Sequence, residues 1–197
     1  APLPPTYGGS QAGAVLRYRL ALKSAWQPQL YMRTTSALGE VSETAAALGV
    51  SARPVPGLPL DAALEGRLVN GIGGNRVQGA ALVTTRFAPL LLPGDFRAEA
   101  YGQAGYVAGR YATAFGDGQA RLDKGVVRVG KVEARLGAGV WAGAQKGAWR
   151  VDAGPSAMIT MPLNNRMFGR LALDWRQRMA GDAEPGSGPA VTLSAGF

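Results

Sequence analysis

From residue 12 onward, apolar and polar side chains alternate with a period of two, in segments of about ten residues separated by short turns. Ala12, Ala14, Leu16, Tyr18 and Leu20 share one face, and Val15, Arg17 and Arg19 share the other. Leu30, Met32 and Thr34 oppose Tyr31 and Arg33; Thr44, Ala46, Leu48, Val50 and Ala52 oppose Ala47, Ser51 and Arg53. Leu60, Ala62, Leu64 and Leu68 oppose Asp61, Glu65 and Arg67. The second half is more regular. Phe96, Ala98, Ala100, Ala104 and Tyr106 oppose Arg97, Glu99, Tyr101 and Gln103, and Val132, Ala134, Leu136, Ala138 and Val140 oppose Lys131, Glu133 and Arg135. Trp149, Val151, Ala153, Ala157, Ile159 and Met161 oppose Arg150, Asp152, Ser156 and Thr160. Met167, Leu171, Leu173, Trp175 and Met179 oppose Arg166, Arg170, Asp174, Arg176 and Arg178. Less regular strands are expected at 76–88 and 117–128, and a last one ends the chain.

Helical periodicity is nearly absent, so the pattern predicts an all-β antiparallel meander. Turn signals fall where the alternation lapses, at RPVPG (53–57), NGIGGN (70–75), LPGD (92–95), FGDG (115–118), PLNN (162–165) and GDAEPGSG (181–188). Residues 1–9, rich in Pro and Gly, read as an irregular lead-in, and residues 10–197 as one domain. Ala1 suits the position after a removed signal peptide as well as it suits a domain boundary.

Composition decides which face is inside. Apolar residues make up 47% of the chain, yet much of that share is alanine, only Ile72 and Ile159 supply isoleucine, and Gly contributes 29 of 197 residues. A soluble core of Ala and Gly buries little area per residue and is underfilled. Against lipid, a smooth Ala, Leu and Val face needs no such packing. The opposite face mixes Arg and carboxylates with Gln, Ser, Thr and Tyr, as suits an aqueous or hydrogen-bonded lumen. Trp26, Trp149, Trp175, Tyr18, Tyr106 and Phe197 tend towards strand ends, where aromatic girdles lie. Strands of 10–14 residues match a tilted crossing of a bilayer, about 9–11 residues, and a sheet in lipid must close on itself. The expected fold is therefore a closed antiparallel transmembrane meander β-barrel of 10–12 strands. Eleven segments are legible, and the usual even count of bacterial barrels favours twelve, with 105–115 the place for an extra hairpin. An even count puts both chain ends on the periplasmic side.

The final strand carries a resemblance. Val191, Leu193, Ala195 and the terminal Phe197 alternate as in the closing strand of bacterial outer-membrane β-barrels, which the chain resembles over residues 10–197. The resemblance implies that Val191, Leu193 and Phe197 form a signal read by the outer-membrane assembly machinery. It also implies a location in the bacterial outer membrane, with the lipid bilayer as partner. Residues 137–156 and 174–193 are also similar to the C-terminal barrel regions of exopolysaccharide-export and phage-adsorption outer-membrane proteins. Short loops and a basic balance depart from general porins.

The chain has no His and no Cys, so no catalytic, metal or cofactor site is expected. Paired acids such as Asp61 with Glu65, or Glu133 with Asp152, read as neutralising nearby Arg. GIGG (71–74) lacks the Lys and helix of a phosphate loop and reads as a turn. The net charge of +8 arises from 21 bases, 17 of them Arg, spread along the chain. Because these bases share their face with acids, nucleic acid is not an expected partner. Alternation assigns Arg17, Arg19, Arg33, Arg67, Arg97, Arg135, Arg150, Arg170, Arg176 and Arg178 to the lumen as candidate binding residues, together with Arg53, Arg121 and Arg166. The opposing acids are Asp61, Glu65, Glu99, Asp123, Glu133, Asp152 and Asp174. An Arg-lined lumen favours anions. The first expectation is a passive channel for anions or acidic saccharides, with lipopolysaccharide or an acidic polysaccharide as candidate partners. The alternatives are a non-conducting scaffold or receptor barrel that anchors an export or adsorption assembly, and a soluble β-barrel binding module.

Overall fold

The computed structural model describes residues 11–37, 44–71, 74–109, 112–164 and 167–196. They form twelve strands in one sheet: β1 (Gln11–Arg19), β2 (Gln29–Ala37), β3 (Thr44–Ala52), β4 (Leu60–Gly71), β5 (Gly74–Thr85), β6 (Leu90–Leu92), β7 (Phe96–Val107), β8 (Thr113–Val129), β9 (Val132–Gln145), β10 (Ala148–Pro162), β11 (Phe168–Gly181) and β12 (Gly188–Gly196). Among the described residues the one helical element is a 3-10 turn, Pro93–Asp95, where Gly94 takes a φ of 75° that favours glycine. The all-β expectation and the count of twelve hold.

Successive strands pair antiparallel except β5 and β6, which do not pair, and the order along the sheet is β5-β4-β3-β2-β1-β12-β11-β10-β9-β8-β7-β6. β5 also pairs with β7, residues 80–84 against 103–107, while β6 pairs with residues 96–98 of the same strand. β5 and β6 thus occupy successive stretches of one position beside β7, which reconciles eleven periodic segments with twelve strands. The extra strand is this short piece at 90–92. It does not lie within 105–115, where Gly105 and Phe115 face each other across the β7–β8 connection.

Two expectations need correction. FGDG (115–118) is not a turn: it lies inside β8, where Phe115, Asp117 and Gly118 pair with both β7 and β9. Pairing on both sides outweighs the local turn preference of Gly-Asp-Gly. The first and last strands do not meet as an antiparallel pair. β1 pairs with β12 in parallel at Gln11–Thr192 and Ala12–Leu193, whereas the other strand pairs of the described residues are antiparallel.

The two faces have inverted burial. The buried set contains Glu65, Arg121, Asp123, Arg135, Arg150, Asp152, Asp174 and Arg176, whereas its apolar members are Tyr31, Val69, Val107, Trp141 and Met158 with several alanines. Leu16, Met32, Leu48, Leu64, Leu68, Val77, Leu122, Leu136, Val140, Leu173 and Leu193 are exposed. Water-soluble domains arrange these classes the other way round. Among the described residues no helix is long and apolar enough to cross a membrane, which says nothing of strands.

Candidate functional site: an ion-paired concave face

Period-two geometry puts Arg97, Glu99, Arg121, Asp123, Arg135, Asp152, Arg170 and Asp174 on one face, and sheet curvature brings that face together. Arg170 on β11 donates to Glu99 on β7 at 2.6 Å, four positions away along the sheet. At about 4.8 Å per strand a flat sheet would hold these strands about 19 Å apart. Arg121 on β8 reaches Asp174 on β11 at 2.7 Å, Arg97 on β7 reaches the Met158 Sδ on β10 at 3.3 Å, and Arg67 on β4 lies over the Phe115 ring on β8 at 5.6 Å. The charged face is therefore the concave one, and these side chains cross its interior.

Three clusters organise it. On β2 and β4, the Glu65 carboxylate accepts from the Tyr31 hydroxyl at 2.6 Å, from Arg33 at 2.6 and 3.0 Å, and from Arg67 Nε. Gly49 on β3 makes room for it, because a Cβ there would lie 2.8 Å from both the Glu65 Cβ and the Tyr31 ring. A second cluster joins β7, β8 and β9. Arg97 meets Glu99 and Asp123 at 3.3 and 3.1 Å, and Arg135 binds Asp123, Glu133 at 2.7 Å and the Asp95 carbonyl at 2.7 Å. The third spans β8 to β11. The Asp174 Oδ2 accepts from Arg121 at 2.7 Å and Arg176 at 3.5 Å, while its Oδ1 accepts from the Ser156 hydroxyl at 2.7 Å. Buried carboxylates and guanidiniums of this kind are tolerable only when paired.

Most of the sequence-predicted lumen residues meet here. Arg150 pairs with Asp152 at 2.8 Å. Arg178 has a different role: with Arg150 it holds the carbonyls of Ala183 and Pro185, drawing the β11–β12 connection inward until Ala183 is 2% exposed. Arg17 and Arg19 are exposed; they stand opposite Tyr31 and Gln29 in the β1–β2 register and so belong to the concave face. The acids proposed as neutralisers each meet an Arg, including Asp61 with Arg86 at 3.2 Å and Glu133 with Arg128 at 2.8 Å. Leu193 lies on the exposed face and Val191 is half-buried; Phe197, Arg166 and residues 1–9 lie outside the described residues.

Sequence reading missed Trp141. It has the parity of Glu133 and Arg135, yet its aromatic ring suggests nothing polar. In the structure it is 5% exposed on the concave face, its indole N–H donates to Gln119 at 3.1 Å, and Arg121 and Arg176 lie 5.4 and 4.9 Å from its ring centroid. Gly139 permits this, since a Cβ there would sit 2.6 Å from the indole. Asp117 and Asp95 were also missed, since each fell within a turn signal, FGDG and LPGD. No family model matches the chain, and no curated protein or solved structure matches it either.

Proposed function

We propose that the chain is a transmembrane β-barrel of the bacterial outer-membrane type, closed through the β5–β7 pairing. Its interior is braced by ion pairs, and it serves as a non-conducting scaffold or receptor. The observation that carries this reading is the inversion of burial: leucines and valines cover the convex face while Arg, Asp and Glu fill the concave one. In water, so extensive an apolar surface would be an aggregation liability; in lipid it is the required exterior. The β5–β7 pairing supports closure because it joins β5, at one end of the strand order, to β7, next to the other end, as a sheet in lipid needs. Trp26 in the β1–β2 connection and Trp149 at the start of β10 are exposed near opposite edges, in keeping with two aromatic girdles.

Scaffold is preferred to pore because the pairs Arg170–Glu99 and Arg121–Asp174 cross the interior, as does the contact of Arg97 with Met158. A cavity of about 480 Å³ beside them, with Arg17 and Arg19 exposed on the concave face, favours a second reading, a narrow anion-preferring channel. Reconstitution in a planar bilayer separates the two. The scaffold reading expects insertion without unitary current. Steady anion-selective current would establish the channel, and cation-selective current would contradict both.

A further inference from the structure

The cavity lies between β7 and β12, and its most unusual wall is the stack of Arg121, Trp141 and Arg176. Two guanidiniums share one oxygen of Asp174, whose other oxygen is taken by Ser156. This leaves one positive charge in excess at that carboxylate. Arg176 is 8% exposed, yet among its five N–H donors only one makes a hydrogen bond, at 3.5 Å, and its Nε has no partner. The Nε of Arg121, 6% exposed, also lacks one. Buried donors on a charged group are normally satisfied, and a guanidinium fork fits the two oxygens of a carboxylate or phosphate. The other Arg residues on this wall are each paired, Arg150 with Asp152 and Arg170 with Glu99, which Arg97 also meets. The volume is within the range of small-molecule sites, about 300–1,000 Å³.

We infer that this cavity is a binding site for a small oxyanion, seated on Arg176 and Arg121 beside the Trp141 ring. The inference rests on the reading of the concave face as the barrel interior, and it assigns to that interior a saturable site instead of a diffuse field.

The test uses the full chain folded in detergent micelles, with the fold scored first by far-UV circular dichroism and by the heat-sensitive mobility of folded barrels. Inorganic phosphate, sulfate and acetate are titrated at constant ionic strength, with chloride as the control, and followed by tryptophan emission and calorimetry. The expected result is saturable binding of at least one oxyanion. Arg176→Met, which removes little hydrogen bonding, should weaken it at least tenfold. Asp174→Asn, which raises the local charge excess, should strengthen it several-fold. Trp141→Phe should remove the emission change while calorimetry still detects binding. Arg121→Met supplies a second route to loss. The three anions distinguish a phosphate, sulfate or carboxylate site. A folded protein that binds none of them, an effect that chloride reproduces, or affinity unchanged in both Arg variants would overturn the proposal and leave the barrel reading intact. Binding by a chain that stays dispersed without lipid or detergent would uphold the site and overturn the barrel.

Discussion

Replacing Glu65 by Gln removes the charge that three groups share. The Glu65 side chain is 0% exposed, and it is the hydrogen-bond acceptor for Tyr31, Arg33 and Arg67. Glutamine keeps the shape but turns an NH2 towards donors, leaving two guanidiniums without a counter-charge. Removing one member of a fully buried pair costs about 3–5 kcal/mol. The Arg33 and Arg67 side chains are 29% and 18% exposed, so water recovers part of that loss, and the expectation falls to about 2–4 kcal/mol. The assay is denaturant unfolding in detergent, followed by tryptophan emission and by the mobility shift. The double variant Glu65→Gln with Arg33→Gln should be less damaging than the sum of the singles, by about 0.5–3 kcal/mol. Arg128→Ala, at an ion pair whose Arg side chain is 66% exposed, is the control and should leave the midpoint unchanged. Strict additivity, or a Glu65→Gln midpoint equal to that of Arg128→Ala, would refute the reasoning, because the carboxylate would then not be holding the two strands together.

Other expectations follow from the same two faces. Leu173, 49% exposed on the convex face, should tolerate Arg poorly: Leu173→Arg should lower folding into vesicles by about 2–4 kcal/mol if the site is near the bilayer midplane, and wild-type folding yield would count against it. Gly139→Val should displace the Trp141 indole, cost about 1–3 kcal/mol as overpacking and shift tryptophan emission; an unchanged spectrum would contradict the packing.

The faces were legible in the sequence because period two is a local property: Leu64 and Glu65, or Leu173 and Asp174, need only their neighbours to declare opposite sides. Partners were not legible, since alternation says that Arg170 is inside but not that Glu99, on a strand four positions away, lies at its height. The same limit hid the parallel β1–β12 pairing, which depends on how the whole sheet curls. FGDG misled because glycine's turn preference is weak beside two flanking strands. Trp141 was missed because parity and residue type conflicted there, and parity prevailed once Gly139 had made room for the ring.

The central claim is that the apolar face meets lipid and the charged face does not, and the tryptophans report on it directly. Trp149 and Trp175 are each 49% exposed on the convex face, whereas Trp141 is 5% exposed on the concave one. Single-tryptophan variants, with the other three tryptophans replaced by Phe, can be folded into vesicles containing lipids brominated along their acyl chains, which quench an indole they touch. Strong quenching of Trp175 and Trp149 with little quenching of Trp141 is the predicted result. Equal quenching of all three, or quenching of Trp141 alone, would contradict the assignment of the faces.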